Sequence, residues 1–138
     1  MTEKVSIFAE EAPAPFGHYC NAIKFGNGIH LSGQLPLDPK TGRPIQGDAE
    51  AQARQVLDNM TVLLQACGCQ LSNVLKTTLY LTDLRDFPVF DKVSKDYFFF
   101  LPPARTTVAV AALPGGCRIC LDGYAEIRTD TDPGKKMI

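Results

Sequence analysis

Two amphipathic helical segments, each set between strand-like runs, constrain this chain more than any other feature. In the first, Ala53, Val56, Leu57, Met60, Leu63, Leu64 and Cys67 recur at spacings of three and four, the signature of one apolar helix face. Asp48 stands before it as an N-cap and Gly68 after it as a stop. In the second, Phe90, Val93, Tyr97, Phe98 and Leu101 form the face. Asp86 and Pro88 mark its start, and Pro102 and Pro103 end it. Strands are expected at residues 20–25, 29–32, 76–81, 105–111 and 118–128, with a tight turn at Gly26-Asn27-Gly28.

The expected order is therefore β-β-α-β-α-β-β, an α+β chain with a mixed sheet. Two helices cover only one face of such a sheet. In the strand at 105–111, Val108 and Val110 face one side and Ala109 and Ala111 the other, so both sides are fairly apolar. The face without helices needs a partner, and a second copy of the chain is the simplest one. A ligand site at the boundary between copies follows from that arrangement.

A length of 138 residues suits one core, expected over residues 1–128, with 129–138 as a polar, mobile tail. A formal net charge of -1 gives no basic field for nucleic acid. No run approaches the roughly 18 apolar residues of a membrane span. The first residues carry neither a signal-peptide nor a transit pattern, and five cysteines are an odd number. Together these favour reduced thiols in the cytoplasm. Cys117-Arg118-Ile119-Cys120 and Cys67-Gly68-Cys69 have spacings known from zinc and redox sites. The first pair sits at a strand start, where an odd spacing is expected to send the thiols to opposite faces. His18 and His30 lie far apart, so no metal is expected.

Arg105 opens the strand that follows the two prolines. A permanently charged guanidinium at the mouth of a buried strand requires an anion. That anion is either a structural carboxylate, Asp122 or Glu126 on a neighbouring strand, or a small acidic ligand.

Five stretches then resemble one family: Gly17-His18-Tyr19, Leu31-Ser32-Gly33-Gln34-Leu35-Pro36, residues 51–59, residues 76–81, and Pro103-Ala104-Arg105-Thr106-Thr107-Val108. In order and spacing they look like the RidA/YjgF family of reactive-intermediate deaminases, over about Ala12 to Arg128. The resemblance implies a chorismate-mutase-like fold and a homotrimer with a central barrel and clefts between subunits. It also implies hydrolysis of small enamines and imines such as 2-aminoacrylate to 2-keto acids and ammonia, without metal or organic cofactor.

By the same resemblance, Arg105 grips the substrate carboxylate, a good match for a planar fork of donors. Tyr19 borders the cleft, Ser32 contacts the imine nitrogen, and a backbone N–H next to Gly33 reaches a carboxylate oxygen. From the residues alone, Tyr19 is equally a core or interface tyrosine, and Ser32-Gly33 a plain strand-end turn. Three positions depart from the family. Thr107 replaces a cysteine, Asp91 an asparagine on the second helix, and Cys120 the glutamate that orients water. A thiol is a poor substitute as a base unless its pKa is lowered. Asp122, about 7 Å further along the same strand face, either takes over through a water or pairs with Arg105. The expected function is thus a deaminase with Arg105, Ser32, Cys120 and Asp122 as catalytic candidates and Arg105, Tyr19, Ser32, Gly33, Asp91 and Thr107 as substrate-binding ones. The alternative is a trimer that binds small carboxylic acids without this turnover.

Overall fold

A computed structural model describes residues 3–128; the expected mobile tail lies outside the described residues. Eight main elements follow one another: β1 (Lys4–Ser6), β2 (Ala22–Phe25), β3 (Gly28–Gln34), α1 (Ala49–Gln65), β4 (Val74–Leu81), α2 (Phe87–Tyr97), β5 (Ala104–Ala109) and β6 (Ile119–Glu126). The expected order is recovered with one strand added, β1, whose three residues are too few and too polar to show a period. The sheet runs β1-β2-β3-β6-β4-β5. Only β4 and β5 pair in parallel. Because β3 and β4 both run antiparallel to β6, α1 also joins two parallel strands, with β6 inserted between them.

Local chemistry explains the elements. The Asp48 carboxylate accepts from the backbone N–H of Ala51 at 2.9 Å and so caps α1. Gly68 leaves the helix at φ 78, where a side chain would be strained. Val56, Leu57, Met60, Leu63 and Leu64 of α1 are fully buried against Ile29, Leu31, Leu79, Leu81 and Leu121 of the sheet. Each such side chain stabilises the fold by about 1.5–3 kcal/mol. No helix among the described residues is long and apolar enough to cross a membrane.

The second helix departs from expectation at both ends. Asp86 occupies the N-cap position, but its carboxylate makes no cap. Instead Arg118 donates to both its oxygens, Nε to Oδ2 at 3.0 Å and Nη2 to Oδ1 at 2.8 Å. Leu101 does not extend the apolar face: α2 ends at Tyr97, and Leu101 is 61% exposed.

Both helices pack on one face of the sheet. On the other face, a smaller cluster of Leu35, Leu37, Cys117 and Cys120 gathers beside Tyr80. Cys117 precedes β6 rather than lying within it, so strand alternation does not separate it from Cys120, and the two thiols share this cluster. The strand carrying Arg105 is not buried in a single chain. β5 is the last strand of the sheet, and Ala104, Thr106, Val108 and Ala109 are exposed.

Candidate active site

The register places Arg105 opposite Thr77 and Thr107 opposite Leu79. Paired residues on neighbouring strands point to the same side. Thr77 and Leu79 are buried on the helix-covered face, so Arg105 and Thr107 face α2. Across from them, Phe87, Phe90, Asp91, Ser94 and Lys95 form a single stripe of that helix, continued by Phe98 just past its end. Stripe and strand line a cleft of about 490 Å³, with Pro102 and Pro103 also in its wall.

The Arg105 guanidinium carbon stands 5.2 Å from the Phe87 ring centre and 5.5 Å from that of Phe90. These ring faces attract the cation and hold it in place. Its Nη2 donates to Asp91 Oδ1 at 2.7 Å. Arg105 therefore has an internal anion, but neither of the two expected ones. Asp122 Oδ1 accepts from the backbone N–H of Thr78 at 3.0 Å, and Oδ2 from the Tyr80 hydroxyl at 3.1 Å. Glu126 accepts from the Tyr124 hydroxyl at 2.9 Å. The physical reason is register: Asp122 pairs with Thr78, whose neighbour Thr77 pairs with Arg105, so the two charges point to opposite faces. One bond to Asp91 leaves Nε and Nη1 of Arg105 without an acceptor among the described residues.

Tyr19, Ser32, Gly33 and Cys120 form a separate group. The β3–β6 register shifts between Leu31 and Gln34, and Ser32 and Gly33 sit in that irregularity. The Ser32 hydroxyl donates to the Cys20 carbonyl at 2.6 Å. With its proton engaged, Ser32 can only accept, so a nitrogen it contacts must carry the hydrogen. A Cβ on Gly33 would fall 2.6 Å from Cys120 Sγ, so only glycine fits without a shift. Tyr19 is exposed and lines a small crevice with Gly33, Gln34 and Leu35; its hydroxyl accepts from the Phe16 backbone N–H at 3.2 Å.

The segment after Gly33 is held from below by a residue that sequence reading missed. Buried Asn59 of α1 donates to the carbonyls of Leu35 at 3.2 Å and Leu37 at 3.0 Å, and accepts from Gln55 at 2.9 Å. Its polar side chain on a buried helix face was a signal available in the sequence. So was the rest of the cleft stripe of α2, in which Ser94 and Lys95 join the expected Asp91 among otherwise apolar positions.

Burial first, and then the Asp122 carboxylate, push the Cys120 thiol up to about 12. At neutral pH it is a protonated, neutral group and holds no capacity to take a proton from water. Burial and Asp122 also raise Tyr80. Among the described residues no three His, Cys, Asp or Glu side chains are grouped as a metal ion requires. In one chain the candidates thus occupy two places: Arg105, Asp91 and Thr107 in the cleft; Tyr19, Ser32, Gly33 and Cys120 around the irregular end of β3, with Asp122 next to Cys120 on the same strand face beside Tyr80.

The chain is thus an α+β protein whose six-stranded mixed sheet carries both helices on one face and an arginine-lined cleft at its edge. The family model described as Endoribonuclease L-PSP matches residues 9–127. A RutC family protein of Pyrococcus horikoshii is 44% identical over 122 residues, 88% of this chain and 97% of the relative. The mouse 2-iminobutanoate/2-iminopropanoate deaminase is 40% identical over 119 residues, 86% of this chain and 88% of the relative. The crystal structure of RidA from an Antarctic Psychrobacter superposes with a TM-score of 0.86 at 39% identity, covering 89% of this chain and 99% of the other. Escherichia coli TdcF with bound serine does so with a TM-score of 0.85 at 31% identity, covering 90% and 99%. The chain belongs to the RidA/YjgF family.

Proposed function

We propose that this chain is an enamine/imine deaminase that hydrolyses small 2-imino and 2-enamino acids of the 2-aminoacrylate type to 2-keto acids and ammonia. The observation that carries the reading is Arg105, a guanidinium set against Phe87 and Phe90 in an open cleft, with two of its nitrogens uncommitted. The second hydrogen of Nη2, together with one on Nε or on Nη1, can give a carboxylate two parallel hydrogen bonds. The deaminase name of the mammalian relatives supports the same chemistry.

The reaction needs little more than orientation. An enamine first shifts a proton from nitrogen to its terminal carbon to become the imine; water then adds to the C=N carbon, its two protons pass to nitrogen, and ammonia leaves as the carbonyl forms. Arg105 fixes the carboxylate, Thr107 borders it, and Ser32 accepts from the nitrogen's N–H. Tyr19 shields the ligand from bulk water. Within one chain the Tyr19, Ser32 and Gly33 group is not joined to the Arg105 cleft. The reading therefore takes the protein as a homotrimer with a central barrel, in which a second copy brings its own group to each cleft, with Cys120 and Asp122 behind it. Five free cysteines fit a reducing, cytoplasmic setting.

One observation favours a second reading, a trimer that binds small carboxylic acids without turnover: Cys120 stands where the family's glutamate is expected and is a protonated thiol. The test is the decay of 2-aminoacrylate, generated by a serine dehydratase. Decay faster than in buffer supports the deaminase; decay at the buffer rate sinks it.

A further inference from the structure

The Arg105 cleft holds a carboxylate of its own. Asp91 Oδ1 accepts from Arg105 Nη2 at 2.7 Å, yet the Asp91 side chain stays 43% exposed. Ser94, one turn away, donates to the Asp91 backbone carbonyl rather than to its carboxylate. Oδ2 therefore has no partner among the described residues. Lys95 lines the same cleft, so its charges are two cations and one anion.

This arrangement has a consequence for ligand chemistry. A ligand carboxylate held by Nη2 and one other nitrogen of Arg105 comes within a few ångströms of Asp91, because both then share Nη2. At a partly exposed carboxylate water screens part of the repulsion, and the phenyl rings beside Arg105 limit that screening on one side. Lys95 offsets part of it. A ligand with a cationic nitrogen one carbon away from its carboxylate offsets the rest, by placing that nitrogen against Asp91. A 2-keto or 2-hydroxy acid of the same skeleton has no such group.

We propose that Asp91 makes this a site for zwitterionic acids, with carboxylate on Arg105 and an iminium or ammonium nitrogen on Asp91, and that it disfavours the corresponding keto acid. The inference rests on the Arg105 cleft being the substrate site. Under it the substrate and product of the reaction bind unequally: hydrolysis removes the nitrogen, leaves the keto acid's carboxylate facing Asp91 uncompensated, and so promotes its release. Asp91 is a specificity-determining residue in this scheme.

The test is a titration calorimetry comparison of 2-aminobutyrate with 2-hydroxybutyrate, which differ by an ammonium in place of a hydroxyl. The wild-type protein is expected to bind the amino acid at least about tenfold more tightly, the scale of one ion pair partly shielded from water. Asp91→Asn should bring the two within about threefold, mainly by tightening the hydroxy acid, while Asp91→Glu keeps the preference. Equal affinities in the wild type, an unchanged ratio in Asp91→Asn, or no saturable binding of either acid would overturn the proposal. A purely structural role for Asp91 would weaken both ligands alike and leave the ratio unmoved, which also overturns it. Decay of 2-aminoacrylate on the same preparation separates the two ideas. Turnover with a ratio near one removes the role of Asp91 and leaves the deaminase. A large ratio without turnover does the reverse.

Discussion

Gly33 and Cys120 are packed so closely that a methyl group on the glycine would stand 2.6 Å from the thiol sulfur. This contact ties the irregular end of β3, which carries Ser32, to the strand position where the family's water-orienting glutamate is expected.

Gly33→Ala should therefore destabilise the protein by about 1–3 kcal/mol, the usual cost of overpacking a tight site. Cys120→Ala removes the sulfur and should recover most of that loss in the double variant. Urea unfolding of both single variants and the double variant measures the coupling. Additive losses would mean that the contact does not constrain the strand.

The same thiol sets a pH dependence. Cys120 is pushed up to about 12 and Cys69 to about 11, in both cases chiefly by burial. In the unfolded chain both ionise near the ordinary thiol value of about 8.5. Their folded pKa values are raised, so their contribution to stability is complete below about 8.5 and is lost as pH rises toward 11 and 12. The slope is at most about 1.4 kcal/mol per pH unit for each thiol. Urea midpoints between pH 8 and 10 should fall accordingly, and fall less steeply in Cys120→Ala. Identical slopes in the two proteins would rule out the thiol as the cause.

Asn59→Ala leaves the Leu35 and Leu37 carbonyls without their donor beneath the β3 end. The Leu35 carbonyl keeps the Leu37 backbone N–H at 2.8 Å, so one buried acceptor, that of Leu37, is left unsatisfied beside a small void, and a loss of about 1.5–3 kcal/mol is expected. Thermal unfolding checks it, and a loss below about 1 kcal/mol would show that water replaces the amide.

If each cleft joins two copies, Arg105→Ala and Ser32→Ala chains should complement one another. Each variant alone leaves every cleft defective. Random mixing in equal amounts pairs an intact Arg105 with an intact Ser32 in about a quarter of all clefts, roughly one cleft in each mixed cyclic trimer. Co-refolded mixtures should recover activity toward that level, whereas activity no higher than the mean of the parents would place both residues in one chain's site.

The fold was legible where periodicity is local. The two helices and most strands follow from spacings of three, four and two, and Asp48 caps α1 as its sequence position indicates. What was not legible depends on pairing between distant segments. Arg118 lies 32 residues from Asp86, and its bidentate hold on that carboxylate replaces the expected cap. The composition of β5 reads as a buried strand, yet insertion of β6 between β3 and β4 leaves β5 at the sheet edge. Arg105 stood out as a charge in need of an anion. That Asp122 faces away from it follows only from the register of three strands, and that Asp91 meets it follows only from how α2 lies on the sheet.

The most direct test of the central claim follows 2-aminoacrylate decay with the wild-type protein and with Arg105→Ala and Arg105→Lys, each first shown to be folded. The account predicts wild-type decay well above the buffer rate. It predicts a fall of at least about 100-fold in Arg105→Ala, from loss of a charge-assisted bidentate contact, and only partial retention in Arg105→Lys, whose ammonium cannot form the fork. Wild-type turnover that survives unchanged in Arg105→Ala would contradict it.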